Sequence, residues 1–188
     1  MKRTNTIFMI GAIMLLILSI ALIAIYWIKR DPNRELKRQV IAMQEQPITL
    51  DFKKAKTFLA GRDTCYIDSP VNKLIIFVDS LSCSSCTVSK LGEYLEVCDT
   101  LSSKNSQMLV ILQTPKRYQE EVISKFHHER FPFWCILDIE AEFTRNNPAI
   151  PKTPLLHTFT LDKDNKVILV GDPIKNERIW DLVQRELE

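Results

Sequence analysis

Cys83-Ser84-Ser85-Cys86 stands where an apolar run, Leu74-Ile75-Ile76-Phe77-Val78, gives way to a segment of helical periodicity. A short run rich in β-branched and aromatic residues reads as a buried strand. In the segment that follows, Val88, Leu91, Leu95 and Cys98 recur at three- and four-residue steps and mark one buried helix face. A cysteine at the first turn of a helix lies near free backbone N–H groups and the positive end of the helix dipole, and both favour the thiolate. Cys83 is therefore placed as a nucleophile, and Cys86, one turn in and shielded by the strand, as the thiol that resolves a mixed disulfide. A C-x-x-C pair between a strand and a helix points to thiol-disulfide chemistry.

The remaining elements follow from punctuation and period. Met108 to Leu112, Phe133 to Leu137, Leu155 to Leu161 and Val167 to Val170 are short apolar runs bounded by polar turns, and they read as strands. Asp162-Lys163-Asp164-Asn165-Lys166 joins the last two as a hairpin loop in which Asn165 takes a positive φ. Helices are expected over about Lys116 to His128, opened by Thr114-Pro115, and over about Asn176 to Leu187. Strand, helix, strand, helix, strand, hairpin, helix is an α/β order. It predicts a central mixed sheet with helices on both faces and an antiparallel hairpin at one edge.

Ahead of this domain lies a run of about 22 uncharged residues, Ile7 to Ile28, long enough to cross a hydrocarbon core of ~30 Å as a helix. The run is too long for the apolar core of a signal peptide, and no small-x-small cleavage site follows it, so an uncleaved anchor is expected. The expected organisation is a tail over 1–6, a transmembrane helix over 7–28, a juxtamembrane spacer over 29–46 and one domain over 47–188. Lys29, Arg30, Arg34, Lys37 and Arg38 outnumber Lys2 and Arg3, a charge bias that favours a cytoplasmic domain, although long domains translocate largely regardless of it. A formal net charge of +2 leaves no nucleic-acid footprint, and the basic cluster fits an anionic lipid surface or a solvated face equally. An odd count of five cysteines means that they cannot all pair with one another.

Gly61-Arg62-Asp63-Thr64, Phe77-Val78-Asp79-Ser80-Leu81-Ser82-Cys83-Ser84-Ser85-Cys86, Phe131-Pro132-Phe133-Trp134-Cys135, the stretch Thr158 to Val167, and Gly171-Asp172-Pro173-Ile174 resemble a group of membrane-associated thioredoxin-like proteins of Bacteroidota. The likeness covers about Pro47 to the C-terminus. It implies a thioredoxin-like domain held at the cell envelope, commonly on the periplasmic side. With the apolar run and the C-x-x-C pair, the expectation is a single-pass inner-membrane protein whose domain faces the periplasm and exchanges disulfides with protein partners, a reaction that needs no organic cofactor. Lys152-Thr153-Pro154 before Leu155-Leu156-His157-Thr158-Phe159 resembles the Thr-(cis-Pro) loop that faces the cysteine pair in that fold. The resemblance implies a cis bond at Pro154, with the Thr153 amide and carbonyl free to pair with an extended partner chain.

Three positions depart from thioredoxin: Ser82 replaces a Trp, Ser84-Ser85 replaces Gly-Pro, and Phe77 stands where thioredoxin buries an acid. Asp79 is the nearest carboxylate, either a proton-transfer group for Cys86 or a turn residue at the strand end. A rival reading is a metal-handling fold in which Cys83, Cys86 and His157 ligate copper or zinc, although no second C-x-x-C completes a structural zinc site. Another is a non-enzymatic interaction module of the cell envelope. His157 falls in phase with Leu155 and Phe159 and reads as a satisfied core histidine, Cys98 and Cys135 read as buried thiols, and Cys65 as the extra cysteine that is exposed. His127 and His128 close a helix whose C-terminal end favours cations.

Overall fold

In the computed structural model of the chain, the backbone is described at residues 2–29, 33–52, 56–58, 70–80 and 84–186. The chain divides into two compact units, Met1–Arg38 and Gln39–Glu188.

The first unit carries α1, Lys2–Lys29, a helix of 28 residues. Its described side chains, at positions 9 and 11–27, are exposed. Among the described residues no helix is long and apolar enough to cross a membrane. The run Ile7 to Ile28 extends beyond those side chains at both ends. Helix α2, Arg34–Gln44, spans the boundary between the two units, and its one buried residue, Met43, belongs to the second.

The second unit is built on a six-stranded sheet in the order β1-β4-β3-β2-β5-β6, from β1 (Lys56–Phe58), β2 (Lys73–Val78), β3 (Gln107–Leu112), β4 (Trp134–Leu137), β5 (Thr158–Leu161) and β6 (Val167–Val170). The three central strands β4, β3 and β2 run parallel, with Ile76 beside Val110 and Val110 beside Cys135. The β5–β6 hairpin adds antiparallel strands on the β2 side, as the sequence order predicts. Strand β1 adds a further antiparallel strand on the β4 side that sequence reading does not find. Between the strands lie α3 (Ser84–Lys90), α4 (Leu95–Ser103), α5 (Gln119–Glu129), α6 (Glu142–Asn146) and, after β6, α7 (Glu177–Glu186).

The central strands are buried on both faces, so their alternation divides two apolar layers instead of separating core from solvent. Leu74, Ile76, Val78, Met108, Val110, Leu112, Cys135 and Leu137 face one layer, where they meet Val88, Leu91 and Val97 of the helical segment after the C-x-x-C, Val122 and Phe126 of α5, and Val183 of α7. On the other face Phe77 meets Phe143 of α6, with ring centroids 5.0 Å apart. Asp138, wholly buried, accepts from the amides of Glu142 and Phe143 at 2.9 Å each and so holds the start of α6. Asn147 bonds both the amide and the carbonyl of Thr49, tying the entry segment of the domain to the end of α6.

The hairpin loop follows its sequence. Asn165 has φ 59°, and the Asp162 carboxylate accepts from the amides of Asp164 and Lys166 at 2.9 and 2.8 Å. Lys73, 2% exposed, reaches the Asn165 side-chain oxygen at 3.1 Å and the Val71 carbonyl at 3.0 Å, so a buried ammonium bridges the start of β2 to the hairpin turn.

Candidate functional site

Strand β2 ends at Val78, and α3 begins at Ser84, so Cys86 lies in the first turn of the helix that follows the central strand. Cys83 and Cys65 lie outside the described residues. Cys86 is disulfide-bonded, whereas Cys98 and Cys135 are free. The expectation that Cys86 is shielded by the strand is corrected: it is exposed. The reason is helical geometry. Val88 is the wholly buried residue of this turn, and two positions at about 100° each carry Cys86 to the opposite side of the helix.

The second sequence-predicted element sits against the same region but with another backbone. Among the described residues there is no cis peptide bond, so Thr153-Pro154 is trans, which corrects the expected cis bond. Thr153 has φ −81° and ψ 110°, the extended form imposed on a residue before proline, and Pro154 opens a 3-10 turn over Pro154–Leu156. A proline is suited to that first position because its fixed φ is preorganised and its missing N–H has no partner to lose. The Thr153 carbonyl accepts from the Leu156 amide at 3.0 Å, so it is engaged in the turn instead of free. The Thr153 hydroxyl reaches the Gln39 side-chain oxygen at 3.1 Å. Leu155 is left 65% exposed at the crest.

His157 closes that turn and packs inward. It is 4% exposed, its ring lies 4.8 Å from that of Phe77, and its Nε2 lies 2.8 Å from the Pro151 carbonyl oxygen. The core reading of His157 therefore holds. Of the proposed metal ligands, Cys83 lies outside the described residues, and among those described no three His, Cys, Asp or Glu side chains gather as a metal site. Asp79 is half-buried just beyond the end of β2.

The structure brings the Cys86 helix and the Pro154 turn to one cavity of about 320 Å³. Thr87, next to Cys86, lines it from the helix, and Pro154 and His157 line it from the turn. Its wall also holds two residues that sequence reading misses, Tyr94 beyond the end of that helix and Asp172 across from it. The buried Tyr94 hydroxyl donates to Asp172 Oδ1 at 2.9 Å, and Lys175 Nζ lies 2.7 Å from Asp172 Oδ2. Burial, then the Asp172 carboxylate, push the Tyr94 phenol above its usual range. One signal was available: Tyr94 follows Leu91 by three on the apolar face, and a tyrosine buried there needs a hydrogen-bond partner for its hydroxyl.

The other described thiols are structural. Cys135 is wholly buried, and desolvation alone pushes its thiol well above the ordinary range. Burial also raises Cys98, against a hydrogen bond from Ser102 that lowers it.

No protein-family model and no curated protein sequence matches this chain. Solved structures do. The thioredoxin domain of a thiol-disulfide oxidoreductase from Bacteroides vulgatus is similar with a TM-score of 0.51 at 12% identity, covering 73% of this chain and 96% of that one. A proposed thiol:disulfide interchange protein DsbE from Chlorobium tepidum gives 0.53 at 14% identity, covering 76% and 99%. At such identities the likeness is one of fold, and the fold of the second unit is thioredoxin-like.

Proposed function

We propose that the chain is a membrane-anchored thiol-disulfide oxidoreductase that exchanges disulfides with protein partners through Cys83 and Cys86. The observation that carries this reading is the placement of Cys86: exposed, disulfide-bonded, and in the first turn of the helix after the central strand of a thioredoxin-like sheet. Sequence spacing supplies Cys83 as its partner.

The exchange balances without a cofactor. A thiolate of a partner dithiol attacks Cys83, a partner–Cys83 disulfide forms, and the Cys83–Cys86 bond breaks to leave a Cys86 thiolate. The second partner thiolate then attacks the partner sulfur, the partner leaves as a disulfide, and Cys83 and Cys86 remain as thiols once protonated. The reverse sequence reduces a partner disulfide, with Cys83 attacking and Cys86 resolving. The Thr153-Pro154 turn, with Leu155 exposed beside it, is the docking surface for the partner chain. The uncharged run Ile7 to Ile28 supports an inner-membrane anchor, and a disulfide-exchanging domain has its clearest use on the periplasmic side.

The test is trapping. A Cys86→Ser chain expressed in its host retains Cys83 without its resolving thiol, and partner chains should accumulate as mixed disulfides released by dithiothreitol. An absence of such adducts, together with stoichiometric copper or zinc on the purified protein, would replace this reading with a metal-handling one.

A further inference from the structure

The Tyr94–Asp172 hydrogen bond is part of the cavity wall yet takes no part in the thiol chemistry. Helix α3 does not run straight into α4: between them Leu91–Tyr94 is wound as a 3-10 turn. A tightened stretch inside a helix interrupts the regular hydrogen-bond ladder and marks a point where direction changes. The helix that presents Cys86 is therefore short, ending at Lys90, and Tyr94 ends the 3-10 turn that follows it.

Thr87, Lys90, Leu91 and Tyr94 face the 320 Å³ cavity, across which stand Asp172 and Ile174. Asp172 also lines a second cavity of about 340 Å³, together with Leu155, Gly171 and Ile179. Side chains that line a cleft have fewer packing neighbours to fix them than side chains enclosed on every side. The hydrogen bond between the helix and the β6–α7 loop then carries more of the orientation. It is built for that: Asp172 Oδ1 also accepts from the Ile174 amide at 3.2 Å, and Lys175 holds Oδ2, so the carboxylate is held by its own loop. A hydrogen bond to a carboxylate is roughly twice as strong as a neutral one.

We infer that Asp172, acting through Tyr94, is a positioning residue for the helix that presents Cys86, and that this hydrogen bond sets the rate of disulfide exchange there. The inference rests on the redox reading of the cysteine pair. Exchange requires the attacking and leaving sulfurs to line up, and a displacement of ~1 Å can cost up to about a hundredfold in rate.

The experiment follows reduction of the Cys86 disulfide by glutathione in the full-length chain in detergent micelles. A glutathione thiolate attacks one sulfur of the disulfide, a mixed disulfide forms, and the other cysteine leaves as a thiolate that water protonates. Tyr94→Phe and Asp172→Ala should each slow this step about tenfold. Asp172→Asn, which keeps an oxygen for Tyr94 and Ile174, should stay within about twofold of the parent. Val183→Ala, a core truncation away from the cavity, is the control for a general loss of stability and should leave the rate unchanged. Parent-like rates in Tyr94→Phe and Asp172→Ala, or an equal fall in Val183→Ala, would overturn the positioning role alone. A parent protein whose disulfide does not react with glutathione at all would overturn the redox reading and this inference together.

Discussion

The Phe77 amide donates to the His157 carbonyl at 2.9 Å while their rings stand 4.8 Å apart, so the end of the central strand and the Pro154 turn are joined by backbone and side chain at one point. His157→Phe keeps a ring against Phe77 but removes the Nε2 contact to the Pro151 carbonyl. The expected cost is about 1 kcal/mol, the net worth of one hydrogen bond. His157→Ala removes the packing as well and should cost about 2–4 kcal/mol, in the range of large-to-small core truncations. Urea denaturation of both variants checks the order.

Pro154 is trans, so Pro154→Ala has no isomer to change. The substitution should cost under about 1 kcal/mol, mainly through the greater freedom of the unfolded chain. The melting temperature is the measurement. A loss above about 3 kcal/mol would contradict the trans turn.

Stability should fall with alkaline pH. Cys98, Cys135 and Tyr94 all have folded pKa values raised by burial. The folded state therefore holds protons that the unfolded state releases. That contribution is complete below the unfolded thiol pKa of about 8.5 and is lost as pH rises above it, with Tyr94 adding its share above about 10. Melting temperatures between pH 7 and 11 should decline from about pH 8.5, and Cys135→Ala should make that decline shallower. By the same burial, iodoacetamide at pH 8 should leave Cys98 and Cys135 unmodified until the protein is unfolded.

Two glycines should respond in opposite ways to alanine. A Cβ on Gly92 meets nothing within 4 Å, so Gly92→Ala should gain about 0.5–1 kcal/mol by restricting the unfolded chain. Gly171 has φ +146° and a Cβ there would lie 2.9 Å from Ile179 Cδ1, so Gly171→Ala should destabilise by about 1–3 kcal/mol. Paired denaturation curves test the contrast.

Elements of strong period were legible before any coordinates. Strands β2, β3 and β6 lie where their apolar runs predict, and the Asn165 turn has its predicted positive φ. Leu155 to Leu161 was one strand by composition, but its first part is a 3-10 turn, because Pro154 starts a turn that Thr158 must leave before it can pair with Ile76. Strand β1, three residues long, and α6, held by Asp138 from before its own start, are too short for any period to emerge.

The sequence by itself determined the order of the periodic elements from β2 onward, the apolar character of the central strands and the junction that carries Cys86, because these follow from local periodicity and from apolar residues leaving water. Only the tertiary structure decided that Cys86 faces outward, that Thr153-Pro154 is trans, that Lys73 is buried against Asn165, and that Tyr94 meets Asp172. The partners in the last pair are separated by 78 positions in the chain. Such contacts are set by where distant segments pack, and a polar group taken out of water finds whatever partner that packing brings within reach.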